Sequence, residues 1–113
     1  MATAIVSFGF RHGKEIPCQT GVLVIDVRKA FDRNPYRDKS LRYKRGTDLD
    51  VQKDILKTPN FNKSYAQLKE KVEDFDGVVY LGCTGGHHRS VYLALRLSEE
   101  LKIPVLHRDI DVK

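Results

Sequence analysis

Cysteine is scarce in this 113-residue chain, with Cys18 and Cys83 the only two. Two cysteines cannot build the multi-bridge framework of a small secreted scaffold, so a reducing, cytoplasmic setting is expected. There is no C-x-x-C pair to support a zinc site, and neighbouring histidines such as His87 and His88 point in different directions. We therefore expect neither metal nor cofactor. Long hydrophobic runs are also missing. The N-terminal run Ala4-Ile5-Val6 stops at Ser7, far short of the ~20 apolar residues of a membrane span. A soluble protein with no membrane partner is expected. The string G-x-x-x-x-G-K-[ST] is absent, which excludes nucleotide hydrolysis by that loop. Repeats, low-complexity tracts and linkers are absent too, so residues 1–113 are expected to form a single domain.

Acidic residues are outnumbered, 15 against 20 Lys and Arg, giving a net charge of +5. The surplus is uneven. Arg33, Arg37, Lys39, Arg42, Lys44 and Arg45 fall in one stretch, with Tyr36 and Tyr43 among them. Basic residues interleaved with aromatics suit RNA or a phosphorylated ligand. The same run also fits a solvated loop.

Four short apolar runs predict strands over 3–8, 22–27, 78–81 and 105–107. Continuous rather than alternating apolarity in 22–27 predicts a strand covered on both faces, as in parallel sheets. Helices are predicted from Asp48 to Lys57 with Thr47 as N-cap, from Lys63 to Phe75, and over Val91–Leu101. Residues 28–46, broken by Asn34-Pro35, read as a long functional loop, and Asp109–Lys113 as a polar tail. The fold class is α/β: a small three-layer sandwich with a mostly parallel four-stranded sheet and helices on both faces.

The chemistry gathers where the strands end. Gly82-Cys83-Thr84-Gly85-Gly86-His87-His88-Arg89-Ser90 links a strand to a helix through glycines. Such a turn offers free amides and the positive end of a helix to an anion, most often phosphate. Arg11 and His12 follow the first strand, Asp26 and Arg28 the second, and His107, Arg108 and Asp109 the fourth. In open α/β sheets ligands bind outside the carboxyl ends of the strands. Parallel strands would bring these groups to one crevice, with His12, Arg28, Cys83, Thr84, Gly85, Gly86, His87, His88, Arg89, Ser90, His107 and Arg108 as ligand-binding candidates. Arg33, Arg37, Arg42, Lys44 and Arg45 are candidates for RNA.

The spacing C-x-x-G-x-x-R-[ST] in Cys83–Ser90 resembles the phosphate loop of cysteine-dependent tyrosine phosphatases. There a cysteine thiolate attacks phosphorus while the arginine grips its oxygens. That resemblance implies a catalytic Cys83 in a phosphatase or phosphotransferase. It differs from those enzymes at Gly82, where they usually carry histidine, and Asp26, Asp32 and Asp109 are the available general-acid candidates.

A wider match covers nearly the whole chain. Ser7-Phe8-Gly9-Phe10-Arg11-His12-Gly13, Asp26-Val27-Arg28, Asn34-Pro35, Gly82–Val91 with Tyr92, and His107-Arg108 occur in an order that resembles the C-terminal domain of the RapZ RNase adapter family. The family's N-terminal P-loop domain has no counterpart here, so the chain looks like the C-terminal module standing alone. The resemblance implies ligand sensing and RNA binding rather than catalysis. The implied ligand is an amino-sugar phosphate, glucosamine-6-phosphate, and the implied partners are small RNAs, an RNase and a second copy in a homodimer. It also implies that His12, Arg28, Thr84, Gly85, Gly86, His88, Arg89 and His107 line the anion pocket.

Overall fold

A computed structural model describes residues 1–17 and 19–111. Cys18 lies outside the described residues, as do the last two positions of the predicted polar tail. Four strands form one sheet: β1 (Ala4–Gly9), β2 (Val22–Asp26), β3 (Val78–Cys83) and β4 (Val105–His107). Their order is β2-β3-β1-β4, and every pairing is parallel. All four carboxyl ends therefore lie at one edge. Three helices accompany them: α1 (Leu49–Ile55), α2 (Phe61–Asp74) and α3 (Arg89–Leu101). The expected α/β class and parallel four-stranded sheet are what the chain adopts.

Register assigns the side chains to faces. Leu23, Val79, Ile5 and Val105 stand in one row across the sheet. With Ile25, Leu81 and Cys83 they join a single core with Val51 and Ile55 of α1, Phe61, Tyr65, Leu68 and Val72 of α2, and Leu93 and Leu97 of α3. Burying each large apolar side chain contributes about 1.5–3 kcal/mol, so this face holds most of the fold's driving force. The two long helices also meet through polar ends. Tyr65 Oη donates to Glu100 at 2.9 Å, and the Arg96 guanidinium lies 4.3 Å from the Tyr65 ring centre.

The opposite face was expected to carry helices as well. Its cover is instead the irregular segment after β1, which contains one 3-10 turn at Phe10–His12. Phe10 packs edge-on against Phe8, with ring centres 4.8 Å apart. It fits because Gly82, beside Phe8 in the register, has no side chain; a Cβ there would meet the Phe10 ring at 2.5 Å. The outer row Val24-Tyr80-Val6-Leu106 is buried in the middle at Val6, while its ends Val24 and Leu106 are 42% and 62% exposed. The prediction that 22–27 is covered on both faces therefore fails. β2 is an edge strand, and apolar continuity cannot distinguish a short edge strand from a central one.

Smaller departures have local causes. β3 runs on to Cys83 because Gly82 and Cys83 stay paired with Phe8 and Gly9. The N-cap of α1 is Asp48 rather than Thr47, and its carboxylate turns back to accept the Arg45 amide at 2.7 Å. The long 28–46 segment is anchored by the buried side chains of Phe31, Pro35 and Leu41. Asp109, read as tail, is fully buried. Its Oδ2 accepts the Gly9 amide at 2.8 Å, and Arg108 and Lys14 pair with it. No helix among the described residues is long and apolar enough to cross a membrane.

Burial alone would raise the Asp109 pKa, but the hydrogen bonds from Arg108, Gly9 and Lys14 prevail and hold it down to about 2. A depressed carboxylate stabilises the fold above its unfolded pKa, and that contribution disappears as pH falls from about 4 to about 2. The shift corresponds to about 2 kcal/mol. Asp109→Asn should therefore lower stability at pH 7 by about that amount and flatten the loss on acidification. Urea denaturation of both proteins at pH 7 and pH 3 would show this; equal stabilities at pH 7 would contradict it.

Candidate functional site

The loop between β3 and α3 is held against the end of β1. The Arg11 amide donates to Thr84 O at 2.9 Å, and His12 Nε2 lies 2.9 Å from Gly85 O. Gly86 has φ +75° and approaches so closely that a Cβ would sit 2.6 Å from Gly9 N and 3.0 Å from Asp109 Cβ. Only glycine accommodates both the dihedral and the contact. Helix α3 then begins at Arg89, two residues earlier than predicted, with no side chain capping it. Its first turn presents the positive end of the macrodipole to the loop.

A cavity of about 140 Å³ opens here. The sequence candidates Cys83, Thr84, Gly85, His87, His88 and Arg89 line it, joined by Arg11, Asn34 and Tyr36. No carboxylate is among them. Arg89 is only 5% exposed. Its Nη1 donates to Phe31 O at 3.0 Å and to Arg28 O at 3.4 Å, and its Nη2 to Thr84 Oγ1 at 3.4 Å. Burial lowers its pKa most, and the guanidiniums of Arg28 and Arg37 add to that, while Cys83 and the Asp26 carboxylate oppose it. None of the ion pairs among the described residues includes Arg89. A buried guanidinium hydrogen-bonded to carbonyls and a hydroxyl, with no carboxylate in direct contact, favours an anion.

His88 is 6% exposed, and its Nε2 has no hydrogen-bond partner among the described residues. Burial lowers its pKa first and the neighbouring His87 second, while hydrogen bonds to the main chain of Lys44 and Arg42 oppose them. An unpartnered buried ring nitrogen is costly, of order 1–3 kcal/mol, unless something else satisfies it. Cys83 is 3% exposed; its thiol donates to Ser90 Oγ at 3.2 Å, and Ser90 Oγ donates to Phe8 O at 3.3 Å. Ser90 thus sits behind the cavity wall.

The other candidates lie elsewhere. Arg28 forms a bidentate pair with Asp26, 2.7 Å at its shortest, and stacks over Phe10. His107 Nδ1 is 2.7 Å from Ser7 Oγ, and burial lowers its pKa. Arg108 pairs with Asp109 and covers Phe8 on the far side of the sheet. His12 and Gly86 shape the loop without lining its cavity. Parallel strands bring the carboxyl ends together, yet each of these side chains finds a nearer partner than the crevice.

The basic stretch divides. Arg33 pairs with Asp54 at 3.0 Å, and with Arg37 it borders a separate hollow that also contains Asp32 and Asp38. Lys44 pairs with Asp50. Arg42 and Arg45 turn the other way, into a second cavity of about 490 Å³ with Arg11, Tyr36, Tyr43 and His87. Arg11, Tyr36 and His87 border both cavities, which therefore lie side by side. Arg11, Asn34 and Tyr36 were absent from the sequence candidates. Arg11 carried a signal, because it follows a strand like the other candidates. Asn34 carried a weaker one in Asn34-Pro35; its Oδ1 accepts the Tyr36 amide at 3.1 Å and sets the turn that delivers the ring.

The sequence model of one family, described as the RapZ C-terminal domain, matches residues 1–111. The chain belongs to this family. Among similar proteins are the nucleotide-binding proteins of Limosilactobacillus fermentum, 36% identical over 95% of this chain, and of Heliobacterium modesticaldum, 39% identical over 95%. A nucleotide-binding protein of Thermus thermophilus is 38% identical over 95%. The chain spans about 40% of the length of these relatives (40%, 39% and 42%).

The lowered pKa of His88 gives the fold a pH dependence. A buried neutral histidine stabilises above its unfolded pKa near 6.5, and that contribution declines as pH falls below it. His107 adds in the same direction. Thermal melts from pH 7.5 to 5 should show the decline, and His88→Gln should make it shallower. Parallel curves for the two proteins would show that His88 is not its source.

Proposed function

We propose that the chain is a binding module that holds the phosphoryl group of a small molecule, nucleotide-like or an amino-sugar phosphate, in the loop from Cys83 to Arg89. The observation that carries this reading is the buried Arg89 guanidinium without a carboxylate partner, in a cavity of phosphate size. The amide-rich loop, the uncapped start of α3 and the unpartnered Nε2 of His88 support the same ligand. Protonated, that nitrogen would donate to a phosphoryl oxygen; neutral, it would accept from a phosphate hydroxyl. The printed name of the relatives, nucleotide-binding protein, agrees with a ligand of this class. Of the five basic candidates for RNA, Arg42 and Arg45 border the site and could follow a phosphate chain leaving it. A cytoplasmic setting fits this reading, since it keeps the buried Cys83 thiol reduced.

Calorimetry against inorganic phosphate, glucosamine-6-phosphate and adenosine monophosphate tests the reading. Charge-assisted hydrogen bonds from Arg89 are worth ~1.5–3 kcal/mol, so Arg89→Ala should weaken binding about 10- to 150-fold. Arg89→Lys, which keeps the charge and loses the fork, should recover only part of it. Absence of binding by the folded wild type, or unchanged binding by both variants, would refute the proposal.

A second reading, a phosphatase or phosphotransferase with Cys83 as catalytic nucleophile, draws on the presence of Cys83 in the cavity wall. Its general acid is harder to find. Asp26 is paired with Arg28, Asp32 borders the separate hollow, and Asp109 is buried behind the loop. The binding reading expects no turnover of an aryl phosphate. Turnover abolished by Cys83→Ser would favour the enzyme instead, and turnover that survives Cys83→Ser would exclude the cysteine mechanism.

A further inference from the structure

We infer that the second cavity is a platform for a nucleobase, so that the ligand is a nucleoside 5′-monophosphate with its phosphate in the glycine loop and its base against Tyr43 and Tyr36. This rests on the phosphate reading of the loop and names the substrate class for it. The smaller cavity, about 140 Å³, has room for a phosphoryl group and little more. The larger, about 490 Å³, falls within the ~300–1,000 Å³ typical of small-molecule pockets. Arg11, Tyr36 and His87 border both, so the two cavities are neighbours and the proposal places one molecule across them.

The chemistry of the larger cavity selects a flat, acceptor-bearing group. Tyr43 is 82% exposed and Tyr36 47%, so both rings are accessible to a ligand. The Arg42 guanidinium lies 4.7 Å from the Tyr36 ring centre and donates through Nε to Tyr36 O at 2.9 Å, so the two side chains are held together. Arg45 is fastened by Nε to Ile110 O at 2.6 Å and by Nη1 to Tyr43 O at 2.9 Å, which ties the Tyr43 backbone to the cavity edge. Aromatic rings stack on any base, and arginine forks match base acceptors such as the O6 and N7 edge of guanine. A sugar ring presents hydroxyls that look for acceptors as well as donors, and an amino sugar adds a cation. The larger cavity has three arginines and no carboxylate among its lining residues. Its donors and its charge fit a base and a phosphate better than an amine.

The same chemistry is offered by a free mononucleotide and by the phosphorylated 5′ end of an RNA strand. Titrations with inorganic phosphate, glucosamine-6-phosphate, AMP, GMP, and a six-nucleotide RNA carrying either a 5′-phosphate or a 5′-hydroxyl separate the cases. Stacking should make AMP and GMP bind about 5- to 150-fold more tightly than inorganic phosphate. Tyr43→Ala should erase that gain; at an exposed position it leaves the fold intact, as a thermal melt would verify. If the 5′-phosphorylated RNA exceeds both its 5′-hydroxyl form and the mononucleotides, the source is an RNA end. If it only equals the mononucleotides, the source is the free nucleotide. Inorganic phosphate or glucosamine-6-phosphate binding as tightly as AMP and GMP, or Tyr43→Ala leaving nucleotide binding unchanged, would overturn the base platform and leave the phosphate loop standing. Failure of every phosphate compound to bind would overturn the loop reading as well.

Discussion

The rest of the site depends on the contact between Gly86 and the end of β1. Two backbones approach there with no side chain between them, and the Asp109 carboxylate fixes the junction by accepting the Gly9 amide beside it. That contact sets the path of the loop from Thr84 to His88 and hence the point where α3 begins. Arg89 and His88 are carried into the wall of the small cavity as a consequence. Arg108 and Lys14 neutralise the carboxylate without entering the site. Asp109 is thus a positioning residue, one step removed from any ligand.

Around that junction the chain leaves polar needs unmet. Arg89 is buried against carbonyls, and His88 keeps a ring nitrogen without a partner. Elsewhere the same chain pairs its charges readily: Arg28 with Asp26, Arg33 with Asp54, Arg108 with Asp109. Among the described residues the buried side-chain nitrogen without a partner is His88 Nε2, and it shares a cavity wall with Arg89. Under the proposed function, an anion in that cavity satisfies both groups.

The strands, the helices and the glycine loop were legible in the sequence because each has a local signature. Apolar runs, three- and four-residue spacing and Gly85-Gly86 before a helical pattern depend on near neighbours only. Membership in the RapZ C-terminal domain family was legible too, through motifs kept in order along the chain. Less legible were the second cover of the sheet, made by Phe10 over Gly82, and the burial of Asp109. Both depend on residues more than 70 positions apart, and a polar residue near a terminus looks the same buried or exposed.

The histidines show the same boundary. Sequence alone determined that His12, His87, His88 and His107 all stand at strand ends, because strand ends are local features. Tertiary structure decided that His87 and His88 face a cavity, while His12 supports Gly85 and His107 joins Ser7. It also decided that Arg11, Tyr36 and Tyr43 meet beside the loop. The physical reason is competition: a side chain's role depends on which partner lies within hydrogen-bonding or stacking distance. Only the packing of the sheet edge determines those distances.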